Sequence, residues 1–233
     1  DFVYAQIIEG MGRLATPPLE WHGGLCVSGR YAFVGTPENS AGSVWIVDVT
    51  DPTNPSYVNS YDLPHGTPAL VYATGDYVYV GVESASDPAL LIVNVSNPAN
   101  PILVGTYRSG AQPRVVAVVG DYAFVAEYAV GDPSSPSFYP AGLAVLDVSD
   151  PAQPRLLTKH VLTGLGAGLF PDVRVLANVV GVMCPEGLAL FEFELPSGLR
   201  LNPPVLSATT LTRTVAPASD CRRPPPSRTR TGR

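Results

Sequence analysis

The chain has 233 residues, 45% of them apolar and only 15% charged, with 22 glycines and 25 prolines. An average soluble domain is roughly a quarter charged, so this composition predicts an ample core built from many short strands and punctuated turns. Six of the 14 basic residues but only one of the 20 acidic ones lie beyond Asn202, which leaves an acidic body and excludes the basic face that nucleic acid or an anionic membrane needs.

Cys26, Cys184 and Cys221 show no CxxC and no metal-ligand spacing, and an odd number cannot pair completely. No segment approaches the roughly 18 apolar residues of a membrane-spanning helix. The chain starts at Asp1 with neither an initiator Met nor a leader, which reads as a processed protein or a fragment.

Residues 2–9, FVYAQIIE, have the β-branched and aromatic content of a single strand. Residues 10–24 are Gly- and Pro-punctuated loop. A four-part pattern then begins. Its first strand ends in Gly (LCVSG, LVYATG, VVAVVG), and a second starts one residue later (YAFVG, YVYVG, YAFVA). The joints at Gly29, Gly75 and Gly120 suit tight hairpins, because Gly accepts the positive φ such turns demand. The third part is an apolar strand running into a turn between two prolines: SVWIVDVTDPTNP at 43–55, LLIVNVSNPANP at 90–101 and GLAVLDVSDPAQP at 142–154. A fourth strand follows each second proline.

The hairpin glycines recur after 46 and 45 residues, and the third motif comes later because of an insertion at 129–142. Four strands on a period of 40–50 is the signature of a β-propeller blade. The expected fold is therefore all-β, a β-propeller of four-stranded antiparallel blades. Three blades are complete (25–63, 70–107, 115–162) and a fourth is degenerate (173–195), within a propeller unit 25–202. Residues 1–24 are a lone strand and linker from a preceding or closing blade. Residues 203–233 form a Pro-, Arg- and Thr-rich tail too poor in apolar groups to order itself, or else out-of-frame sequence. Either FVYAQIIE supplies the outer strand missing from the fourth blade, giving a strand-closed ring, or the blades are an arc of a larger ring, which the abrupt start favours.

The three strand-turn copies, with their hairpins GDYVYV and GDYAFV, resemble the LVIVD repeats of bacterial and archaeal surface or secreted proteins. The resemblance covers roughly residues 25–195. It implies β-propeller blades and an extracellular, cell-surface or periplasmic location, and it implies no activity. The second copy departs from the others, with Asn94 and Asn97 where they have Asp48, Asp51, Asp147 and Asp150. Paired carboxylates suit calcium, but Asn holds an Asx-type turn as well as Asp does. The turn reading is preferred and no cofactor is expected.

The variable loops all fall on the face opposite the tight turns, where contact residues are free to vary. The insertion contributes Tyr128, Asp132, Phe138 and Tyr139, and Glu38, Glu83 and Glu127 open successive loops as a prospective ring of carboxylates. His22 and His65 are further candidates, although they sit at different blade positions and predict no metal cluster. No GxSxG, HExxH, P-loop or dinucleotide fingerprint occurs. The expected function is an extracytoplasmic scaffold that binds protein or carbohydrate through the loop face, with no nucleic-acid partner. The alternative is a hydrolase or oxidoreductase whose axial site further blades complete.

Overall fold

The computed structural model describes residues 23–36, 42–108, 110–131, 134, 139–161, 172–176, 178–184 and 187–192. The chain divides into a unit of residues 1–193 and a second of 194–233. The second unit, the tail reading and the FVYAQIIE strand lie outside the described residues.

The fold is a β-propeller. Its first blade is the meander β1 (Leu25–Ser28), β2 (Tyr31–Thr36), β3 (Ser43–Asp48) and β4 (Ser56–Asp62). The second is β5 (Thr67–Thr74), β6 (Tyr77–Glu83), β7 (Ala89–Asn94) and β8 (Ile102–Tyr107). The third is β9 (Gln112–Val119), β10 (Tyr122–Tyr128), β11 (Gly142–Asp147) and β12 (Arg155–Val161). The fourth has three described strands, β13 (Val173–Leu176), β14 (Val179–Cys184) and β15 (Gly187–Glu192). Each sheet is antiparallel and follows chain order.

Hydrophobic burial holds the blades to one another. A first cluster packs Phe33, Val44 and Ile46 against Val71, Val80 and Leu91 of the next blade. A second packs Leu70, Tyr79 and Ile92 against Val116, Val125 and Ala144. A third packs Phe124, Ala126 and Leu143 against Val173, Val180 and Val182. A strand between two neighbours is covered on both faces, so β7 is continuously apolar, Ala89 to Val93, and wholly buried. Outermost β12 is exposed at six of its seven residues.

The hairpin glycines carry φ of 59°, 55° and 56° at Gly29, Gly75 and Gly120. The Cβ positions at Gly29 and Gly75 are open, so backbone conformation, not crowding, demands Gly there. The inner strands begin earlier than the sequence suggests, at Thr67 and Gln112 rather than at 70 and 115. Pro68 and Pro113 read as breaks, yet a proline is tolerated beside a strand start or a bulge. Bulges do follow them, with Ala69 and Arg114 skipped in the pairing to β6 and β10.

Each proline-flanked motif is two successive Asx turns. Asp48, Asn94 and Asp147 accept the backbone N–H two residues on, from Thr50, Ser96 and Ser149, at 2.8–3.0 Å. Asp51, Asn97 and Asp150 do the same with Thr53, Ala99 and Ala152. The turns also brace the preceding blade. Asn59 on β4 donates to the Ala99 carbonyl in the second turn at 2.8 Å. Gly105, at the same repeat position on β8, lets the Pro151 carbonyl of the third turn come so close that a Cβ would stand 1.9 Å from it.

Hydrogen bonds from Thr50 and Ser149, then the Arg30 and Arg155 guanidinium groups, hold the Asp48 and Asp147 carboxyls at about 2, down from 3.8. A depressed folded-state pKa contributes stability above the unfolded value and loses it as pH falls through the folded one. The melting temperature should therefore drop between pH 4 and pH 2. Asp147→Asn should flatten part of that slope while keeping the turn, as Asn94 does. Asp147→Ala should lower the melting temperature at neutral pH more than Asp147→Asn; equal melting curves for the two would refute the turn's role.

Candidate functional site

Because each blade is an antiparallel meander, the loops joining its second and third strands share one side with the connections between blades. On that side the structure gathers charged and aromatic groups from the second and third blades.

Arg114 is the skipped residue of the β9 bulge, which frees its side chain from the strand's alternation. Its guanidinium donates to Glu83 Oε1 at 2.7 Å and to Gln112 Oε1 at 3.2 Å, and it lies 5.3 Å from the centroid of the Tyr128 ring. Tyr128 is buried, and burial pushes its phenol pKa up against the opposing pull of Arg114. The Tyr128 hydroxyl and Glu83 Oε2 are both buried without a hydrogen-bond partner among the described residues. A buried polar group left without a hydrogen bond costs about 1–3 kcal/mol, so both atoms favour a polar group brought within their reach.

Arg114 also lines a cavity of about 550 Å³ surrounded by the inner strands β1, β5, β9 and β13. Its walls are mostly aliphatic, with Leu25, Val71, Val116 and Val173, and Tyr72 adds an aromatic ring. Asp172 and Arg174, paired at 2.6 Å, supply its other charges. A volume of a few hundred Å³ with few polar groups is the usual profile of a small-molecule pocket.

A second group lies farther out on the loop side. Arg108 Nε donates to Asp87 Oδ1 at 2.8 Å, and this guanidinium, ahead of His65, keeps the Asp87 carboxyl below its ordinary pKa. His65 Nε2 lies 2.8 Å from the Asp87 carbonyl oxygen and 3.4 Å from Oδ2. The base of the insertion is fixed by reciprocal 2.9 Å backbone bonds between Val130 and Tyr139. The Tyr139 ring lies against Gly110, where a Cβ would stand 2.3 Å from it, and it is 46% exposed.

Of the residues singled out in the sequence, Glu83, Tyr128, Tyr139 and His65 come to this side. His22, Glu38, Asp132 and Phe138 lie outside the described residues. Glu127 is a correction. It is fully buried and pairs with Lys159 at 2.7 Å, so it is not a solvated member of a carboxylate ring. It follows the bulge opposite Pro113 and Gly142, and the missing Cβ of Gly142 leaves room for the Lys159 stem, 3.1 Å from that point. Arg108, Gln112, Arg114 and Asp87 were missed. Their signal was scarcity, since a body with eight basic residues places two of them at adjoining strand ends. Among the described residues no three of His, Cys, Asp and Glu stand together as metal ligands, and no helix is long and apolar enough to cross a membrane.

The LVIVD repeat profile matches residues 23–63, 66–109 and 112–161, more than half of the chain. No curated protein matches it. Among solved structures it resembles the computationally designed Ika4 protein at 12% identity and a TM-score of 0.53, covering 81% of this chain and all of that one. A protein from Lactobacillus plantarum matches 74% of the chain at 13% identity and a TM-score of 0.56. The Pseudomonas aeruginosa periplasmic gluconolactonase PpgL matches 76% at 18% identity and a TM-score of 0.53. The chain spans about half the length of these last two. Likeness at this level carries the fold alone.

The Glu127–Lys159 pair yields a direct test. Lys159→Ala leaves a carboxylate buried without its cation and should cost about 3–5 kcal/mol. The double substitution Glu127→Gln with Lys159→Met should recover most of that loss in urea unfolding. Failure of the double variant to recover would contradict the charge-pair account.

Proposed function

The chain belongs to the LVIVD repeat family, and from that membership we propose that it is an extracytoplasmic binding scaffold that engages protein or glycan through its loop face. The observation that carries this reading is the convergence on that face of Arg108, Asp87, His65 and an exposed Tyr139, while the opposite face is closed by hairpins and Asx turns. Arg and Tyr are the residue types that dominate binding hot spots. Asp87 holds the guanidinium in place before any partner arrives, so less side-chain entropy is lost on binding. The periplasmic location named for PpgL supports the placement outside the cytoplasm. The reading needs no metal or cofactor.

The axial cavity favours a second reading, a hydrolase acting on a small polyhydroxylated substrate. Its support is the Arg114 guanidinium at the wall of a 550 Å³ space, together with the fold shared with a gluconolactonase.

The two readings separate cleanly. Immobilised protein is probed with a glycan array and with solubilised envelope proteins, and hydrolysis of gluconolactone is followed in a pH-stat. On the scaffold reading Tyr139→Ala with Arg108→Ala weakens capture at least about tenfold with an unchanged melting temperature, and no lactone is consumed. Capture unaffected by the double substitution sinks the scaffold reading. Lactone consumption abolished by Arg114→Ala replaces it with the hydrolase.

A further inference from the structure

Every internal contact between blades has the same polarity. The forward face of one sheet packs on the backward face of the next, as Ile46 does on Leu91 and Ile92 on Ala144. The backward face therefore carries equivalent residues in each repeat. In the second blade they include Val71, Ala73 and Leu91, at 7%, 9% and 1% exposure. In the third they include Val116 and Ala144, at 4% and 0%.

The first blade carries the same apolar positions with nothing on them among the described residues. Leu25 and Val27 stand where Val71 and Ala73 do, and they are 66% and 61% exposed. Trp45, equivalent to Leu91, is covered only in part and meets Tyr57 edge-on at 5.3 Å. At the other end the forward face of the fourth blade exposes Leu176 and Leu190 at 64% and 65%. Leu190 stands where Val145 packs between the third and fourth blades. Large aliphatic side chains this exposed at adjacent strand positions mark an interaction surface.

We propose that the backward face of the first blade docks the forward face of the fourth blade of a second copy of this chain. The contact continues the series already made three times within the molecule, each copy presents one face of each kind, and the chemistry required of the partner is that of a blade's forward face. The association is heterologous, using two different patches rather than one self-complementary patch. It does not depend on the loop-face reading.

Sedimentation velocity of the full chain over a range of concentrations tests it, with Val27→Lys and Leu190→Lys as probes. Both sites are exposed, so both variants should keep the wild-type melting temperature. Wild-type protein should associate as concentration rises, and each variant should weaken association at least about tenfold. An equimolar mixture of the two should regain a dimer, because Val27→Lys retains a sound fourth blade and Leu190→Lys a sound first blade. A wild type that stays monomeric overturns the proposal and assigns the faces to another segment or another blade. Association lost in Val27→Lys but kept in Leu190→Lys overturns it in favour of back-to-back pairing. A mixture that fails to associate overturns it as well.

Discussion

A propeller blade is a sheet with two apolar faces and cannot bury either one alone. The structure depends on that constraint. The interior hydrophobic clusters all lie between sheets, none within one. At about 25 cal/mol per Å² of apolar surface removed from water, the contact between neighbours outweighs anything available to an isolated blade. Burial consequently follows a blade's position and not only its composition. The same inner-strand pattern is largely covered in β5 and has no buried residue in β1.

A chain with so few charges has to place each one carefully. All six described Lys and Arg residues make ion pairs. Arg30 and Arg155 hold the carboxylates of Asx turns, so they serve the closed face. Arg108 and Arg114 are held by Asp87 and Glu83 on the loop side. Lys159 pairs with a carboxylate that the packing of the third blade buries completely. None of these cations is left with only water for company. The turn motif does more than reverse the chain, because it also supports the outer strand of the blade before it, through the Asn59 contact and the Gly105 approach.

Most of the architecture was legible in the sequence because repetition averages out local ambiguity. Three copies of a hairpin Gly and three of a proline-flanked turn locate strands that single-copy propensity would leave open. The strand starts at Thr67 and Gln112 were hidden by prolines that sequence logic reads as stops. The site was far less legible. Tyr139 and Glu83 were visible as loop residues, but Glu127 reads as a loop carboxylate and is a buried partner of Lys159, which is 32 positions away in sequence. Such a pairing depends on register and on the missing Cβ at Gly142, and nothing local encodes either.

The bulges explain how one repeat can be plain scaffold and the next a site. The second and third blades each skip one residue at the loop end of the inner strand, and the repeat places Ala69 and Arg114 there. In the second blade the extra residue carries only a methyl group, with no polar atom to aim. In the third it delivers a guanidinium to Glu83, Gln112, the Tyr128 ring and the wall of the central cavity. The backbone irregularity is common to both blades, so it belongs to the fold. The difference is one side chain. An inner-strand bulge thus lets functional groups be exchanged at the axis without disturbing the interblade packing, because the skipped residue is the one position of the strand whose alternation the neighbouring sheets do not dictate.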